Sequence, residues 1–137
     1  MKLAFCLLLI IPALANCKIF KNCDLAKQLV KYGTPRDQIA TWVCIAFKES
    51  SFNTAAFNPE YGTYGLFQIS KKFWCYPPGK GCNIRCKKLI DNNIRDDIKC
   101  VRKIFATTKA ETGNGFNAWT VYPQCKNADS YVKNCKF

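Results

Sequence analysis

Histidine is absent from the 137 residues, and only nine are acidic against 21 lysines and arginines. Without an imidazole, no catalytic triad that depends on histidine can be built. The same absence, with no paired Cys-x-x-Cys/His pattern, argues against a zinc site. Long apolar runs are scarce: beyond the N-terminus no stretch is long enough for a membrane span. Repeats, low-complexity tracts and linkers are missing between Lys18 and Phe137, so one domain is expected there.

At the N-terminus, Met1-Lys2 precedes an apolar run from Leu3 to Ala13, and small residues follow at Ala15 and Cys17. This pattern predicts a secretory signal over residues 1–17, with a mature domain over 18–137 that is secreted and extracellular. Two of the ten cysteines, Cys6 and Cys17, would leave with the signal. Eight in a small exported domain predict four disulfides, whose pairing the spacing leaves open. Losing Lys2 takes the net charge from +12 to +11. Such a cationic exported chain is drawn to anionic bacterial surfaces, and charge alone would also serve membrane disruption or mere solubility.

Residues 22–33 predict a helix, with Asn22 as its cap, Asp24 in the first turn and Gly33 as the stop. Thr34-Pro35-Arg36-Asp37 opens a second helix as cap, first-turn proline and first-turn acid. Its apolar positions Ile39, Trp42, Val43, Ala46 and Phe47 recur at helical spacing. Residues 58–63, Asn-Pro-Glu-Tyr-Gly-Thr, form a turn signal between short strand-like stretches. A cysteine-dense loop runs to Cys86. From about Ile94 a third helix presents Ile98, Val101, Ile104 and Phe105 on one face, and a last helical stretch is expected around 117–121. The class is α+β, mostly helical with one small sheet.

Glu49 closes the apolar second helix, where the macrodipole disfavours an acid, so its position points to use. After it come Ser-Ser-Phe-Asn-Thr and then Tyr64-Gly65-Leu66-Phe67-Gln68-Ile69-Ser70. A carboxylic acid leaving an apolar helix toward a polar hairpin suits proton donation to a glycosidic oxygen. No second acid stands where such chemistry places one.

Taken in order, K-I-F-K-N-C-D-L-A, P-R-D-Q-I-A-T-W-V-C-I-A, E-S-S-F-N-T, Y-G-L-F-Q-I-S, C-N-I-R-C, G-N-G-F-N-A-W and the closing cysteines carry a resemblance. The chain resembles the c-type lysozyme and α-lactalbumin family over essentially all of residues 18–137. The resemblance implies a helical lobe and a small antiparallel β-lobe, separated by a cleft for a peptidoglycan- or chitin-like sugar chain. It implies the disulfides Cys23–Cys135, Cys44–Cys125, Cys75–Cys86 and Cys82–Cys100. Glu49 matches the family's general acid and Trp119 its apolar wall. Gln68, Phe73, Trp74, Asn114, Ala118 and Trp119 match sugar contacts.

The family's nucleophilic aspartate immediately precedes the Tyr-Gly pair, and Thr63 stands there instead. The hairpin is also about three residues shorter than usual for the family, which leaves Glu60, in the turn, as the nearest acid. A hydrolase with one acid still works if water is held on the opposite face of the sugar, with inversion; Thr63, Asn58 or Ser70 could hold it. The function implied is a secreted muramidase of weak activity, needing no catalytic cofactor, acting as a monomer and with no specific nucleic-acid partner. The alternative is a catalytically impaired lysozyme-like protein that binds such sugars.

Asp91, Asp96 and Asp97 crowd into seven residues at the start of the third helix. Acids there can simply complement a helix N-terminus. The spacing also resembles the calcium loop of α-lactalbumin and the calcium-binding lysozymes. That resemblance implies structural Ca²⁺ held by the side chains of Asp91, Asp96 and Asp97 and the carbonyls of Lys88 and Asn93; hard oxygen donors suit the ion.

Overall fold

The computed structural model describes residues 17–137; the expected signal segment, apart from Cys17, lies outside the described residues. Three helices, α1 (Asn22–Lys31), α2 (Ile39–Ser50) and α3 (Arg95–Thr112), enclose the core with short 3₁₀ turns. A three-stranded antiparallel sheet, β1 (Phe57–Asn58), β2 (Thr63–Tyr64) and β3 (Ile69–Ser70), makes the smaller part. Asn58 pairs with Thr63 across the first turn, and Thr63 with Ser70 across the second, so Thr63 sits on the central strand.

Helical periodicity builds the core. Ile39, Trp42, Val43 and Ala46 of α2 are buried, as are Ile98, Val101 and Ile104 of α3. Trp42 stands at the centre, edge-on to Phe67 at 5.7 Å and to Trp119 at 4.9 Å, with Phe116 tilted at 4.9 Å. Each such pair adds about 0.5–1.5 kcal/mol beyond area burial. The four disulfides implied by the resemblance all form: Cys23–Cys135, Cys44–Cys125, Cys75–Cys86 and Cys82–Cys100. Two close long loops, spanning 112 and 81 residues, where cross-linking restricts the unfolded chain most.

Several local expectations give way. Asn22 does not cap α1, which starts one residue earlier with Lys21 as its flanking residue. The Asn22 amide instead donates to the carbonyl of Tyr131 at 2.7 Å, tying the helix to the C-terminal segment. Thr34 does not cap α2 either: its buried hydroxyl has no partner among the described residues, and a 3₁₀ turn, Arg36–Gln38, intervenes before α2. Phe47 is 42% exposed and leans on Phe52 and Tyr131 at the rim of the core. The expected helix around 117–121 is replaced by two 3₁₀ turns, Gly115–Ala118 and Tyr122–Cys125, on either side of an extended Trp119.

Candidate active site

Glu49 lies half-buried in the last turn of α2. Directly after the helix, Ser51 (φ 52°) and Phe52 (φ 66°) both adopt left-handed backbone. Two consecutive non-glycine residues in that region are costly and persist only where the surroundings hold them. They turn the chain sharply, so that Asn53 bridges back to Ile19 and the β-sheet begins soon after. Glu49 is thereby left facing the sheet rather than being followed by further helix.

A cleft of about 600 Å³ receives Glu49 from α2, Thr63 and Gln68 from the sheet region, and Trp74, Ala118 and Trp119 from the loops. Six of the residues singled out in the sequence therefore meet in one cavity. Glu49 is the only acid among its lining residues. Glu60 is exposed and does not line it; the Glu60 amide donates to the Asn58 side chain at 3.0 Å.

Thr63 is held firmly. Its hydroxyl donates to Oε1 of Gln68 at 2.7 Å, while Nε2 of Gln68 donates to the carbonyls of Gly65 (3.0 Å) and Ala56 (3.2 Å). Gln68 is buried, and since only its NH2 end can donate to those two carbonyls, its amide has a single satisfactory orientation. The Thr63 oxygen, having given its one proton away, keeps its acceptor lone pairs. Asn58 and Ser70 line the same cavity, so polar groups of the sheet region share it with Glu49.

The wall is apolar and rigid. Trp119 is buried against Trp42, and its Nε1–H donates to the carbonyl of Phe67 at 3.0 Å. Ile69, Ile104 and Val121 complete that side. Phe73 lies outside the cleft lining: it is 59% exposed, with the Lys72 ammonium 5.3 Å from its ring centre. Asn114 lines an adjoining hollow that shares Trp119 and Thr120 with the cleft. Its side chain is already engaged, accepting from the Phe116 amide at 3.0 Å and donating to the Tyr122 hydroxyl at 3.3 Å. Tyr61, 71% exposed at the hairpin turn, lines the cleft and was not singled out from sequence. An aromatic beside the turn glycine Gly62 was its only local signal.

The three aspartates occupy the start of α3 unequally. Among the described residues no three acidic, histidine or cysteine side chains converge as a ready metal cluster. Asp97, however, is buried, and among the described residues neither of its carboxylate oxygens has a partner at full hydrogen-bond geometry, although the backbone amides of Asp97 and Leu66 lie near enough to favour its charged form in part. Burial, followed by the charges of Asp91 and, more weakly, Asp96, pushes its pKa well above the usual carboxylate value. Asp91 accepts from the Asn93 amide at 3.0 Å. Gly65 ties this region to the cleft: at φ +82°, a Cβ there would collide with the Leu89 carbonyl and press on Asp97.

Comparison with known proteins agrees with this geometry. Residues 18–135 match the model of the C-type lysozyme/alpha-lactalbumin family. The chain is similar to Lysozyme P of Drosophila melanogaster, with 32% identity covering 97% of this chain and 96% of that protein. It is also similar to the milk isozyme of lysozyme C from Canis lupus familiaris, at 37% identity over 86% of this chain and 98% of that one. Among solved structures, a lysozyme from Litopenaeus vannamei superposes with a TM-score of 0.79 at 37% identity, covering 88% of this chain and 98% of the other.

Proposed function

The chain belongs to the C-type lysozyme/alpha-lactalbumin family, and from that membership we propose how it works as a lysozyme, a glycoside hydrolase. The observation that carries the reading is the cleft itself, which brings one carboxylic acid, Glu49, together with polar groups of the sheet region and an apolar wall. The substrate is the β-1,4-linked sugar chain of bacterial peptidoglycan, reached by a secreted, monomeric protein whose cationic surface favours anionic bacterial envelopes.

Glu49 gives its proton to the glycosidic oxygen as the bond to the anomeric carbon breaks. Lysozymes are themselves the standard case of this acid logic, and the usual second carboxylate has no counterpart among the residues lining this cleft. A water on the opposite face, accepted by the Thr63 oxygen and steadied by Asn58 or Ser70, attacks the anomeric carbon. It releases its proton to solvent, from which Glu49 is reprotonated. With no carboxylate to stabilise the positive charge, turnover is slow and the product is inverted. Gln68, Trp74, Ala118 and Trp119 position the sugar within the cleft. Phe73 and Asn114 serve as outlying contacts.

The start of α3 fits a structural Ca²⁺. Asp97, Asp96 and Asp91 with the carbonyls of Lys88 and Asn93 offer hard oxygen donors, and a cation would compensate the buried Asp97 carboxylate, which has no full hydrogen-bond partner among the described residues. The ion contributes stability only; it takes no part in bond cleavage.

Clearing of a bacterial wall suspension by the wild type and by Glu49→Gln tests the catalytic reading. The variant should lose roughly 10²–10⁴-fold in rate while still binding chitooligosaccharides. Equal rates would overturn the assignment of Glu49. Sugar binding without cleavage by the wild type would instead establish an impaired lysozyme-like sugar-binding protein.

A further inference from the structure

The outer face of α3 carries two cationic hollows apart from the cleft. The first, about 670 Å³, is lined by Arg85, Lys88, Lys99 and Lys103 beside Tyr76, with Asp96 as the one acid. The second, about 600 Å³, is lined by Lys31, Arg95 and Arg102 beside Tyr32, with no acid. Lys99 and Lys103 line both, so the hollows adjoin at this pair on the helix. Neither shares a lining residue with the cleft.

Residues four apart on a helix share a face and rise about 6 Å per step, which makes Arg95, Lys99 and Lys103 a ladder of cations. Arg102 extends it sideways. Its guanidinium is held in place by donating to the Tyr32 carbonyl at 3.3 Å, so part of its ordering cost is already met. Seven cations around one carboxylate repel one another, and a bound polyanion would relieve that repulsion.

We propose that the adjoining hollows bind a phosphodiester chain lacking bases, of the polyol-phosphate kind attached to bacterial walls. The aromatic rings decide between this and nucleic acid. Single-stranded nucleic acid gains much of its affinity by stacking bases on open aromatic faces. Here the Arg85 guanidinium lies 5.2 Å from the Tyr76 ring centre and the Lys31 ammonium 5.4 Å from that of Tyr32. Both rings already have a cation over a face, so the site offers regularly placed charge rather than stacking platforms. If the cleft cleaves peptidoglycan, a consequence resting on that reading, holding the wall's phosphate polymer raises the local concentration of its glycan.

Binding of poly(glycerol phosphate), measured over a series of salt concentrations, tests the site. Lys99→Gln with Lys103→Gln should weaken it at least tenfold and lower the log–log salt slope by about 0.7 per cation removed. Lys27→Gln with Lys133→Gln removes the same charge at exposed positions outside both hollows and should change affinity little. Equal losses in the two pairs would reduce the effect to net charge and overturn the site. Single-stranded DNA of matched charge that binds more tightly, and is lost with the same Lys99/Lys103 pair, would overturn the phosphodiester assignment in favour of nucleic acid. Lys99→Arg with Lys103→Arg should retain binding, which separates lost charge from disturbed folding. Cleavage of an uncharged chitooligosaccharide should be the same in all three double variants and the wild type. Its absence in every protein, the wild type included, would count against the lysozyme reading alone.

Discussion

Replacing Thr63 by aspartate restores an acid opposite Glu49, and the hydrogen-bond network sets its cost. The Thr63 hydroxyl is a donor to Gln68 Oε1, and a carboxylate has no proton to donate. Gln68 cannot answer by flipping, because Nε2 would then forfeit its bonds to the Ala56 and Gly65 carbonyls. Losing the bond and leaving a buried acceptor facing a carboxylate destabilises the protein by about 1–3 kcal/mol. For a chain of this size, that lowers the melting temperature by roughly 3–10 °C. The catalytic gain opposes this. A carboxylate about 5 Å from the developing positive charge, at an effective dielectric of about 20, contributes about 3 kcal/mol. That corresponds to a ceiling of roughly 100-fold in rate. An ångström of misplacement in the short hairpin would erode it, so the expected rise is about tenfold to hundredfold. Chitooligosaccharide hydrolysis followed by NMR reads both rate and anomer, with inverted product from the wild type and retained product admissible from the variant. Thr63→Val, which loses the same bond without adding charge, should melt early and gain nothing. A Thr63→Asp protein that melts like the wild type would refute the hydrogen-bond argument. A folded variant with unchanged turnover would refute the electrostatic one, and loss of wild-type activity in Glu60→Gln would show the second acid to be Glu60.

Chelation should lower the melting temperature near neutral pH, and added Ca²⁺ should restore it in proportion to its free concentration. In chelated protein the Asp97 proton is held more tightly folded than unfolded, because its folded pKa is raised. Its stability contribution is therefore present below the ordinary aspartate pKa and lost as pH climbs through the raised value, so chelated protein should melt progressively earlier above about pH 4. Asp96→Asn with Asp97→Asn should abolish both the chelator effect and this pH dependence in calorimetry; a chelator effect that survives would place the ion elsewhere. Gly65→Ala should destabilise by well over 1 kcal/mol in denaturant titration, since a left-handed φ and the Leu89 carbonyl both oppose a Cβ. Near-wild-type stability there would show that the Leu89 segment yields easily.

How much the chain reveals before folding depends on how far apart the deciding residues lie. The three helices are legible because apolar spacing and terminators such as Gly33 act within a few residues of one another. The position of Glu49 at the end of α2 is equally local. The turn over 58–63 follows from its Asn-Pro and Gly, although nothing local limits its strands to two residues each. The disulfide pairing was available only through family resemblance, since spacing alone leaves the cysteines' partners open.

Tertiary structure decided what depends on competition between distant partners. Asn22 is an acceptable cap by type, yet the Tyr131 carbonyl, 109 residues away, takes its amide. Phe47 fits the apolar stripe, but the helix turns it toward the rim. Thr63 is visible in the sequence as a missing acid; that its hydroxyl is spent on Gln68 is not, because the bond needs a left-handed residue on the far side of a turn. Phe73 and Trp74 are neighbours of similar character, and only packing sends one into the cleft and the other out of it. The cationic hollows gather residues from α1, the cysteine-dense loop and α3. Composition determines that positive charge is in excess; where it lines concave surface is settled by how these segments pack.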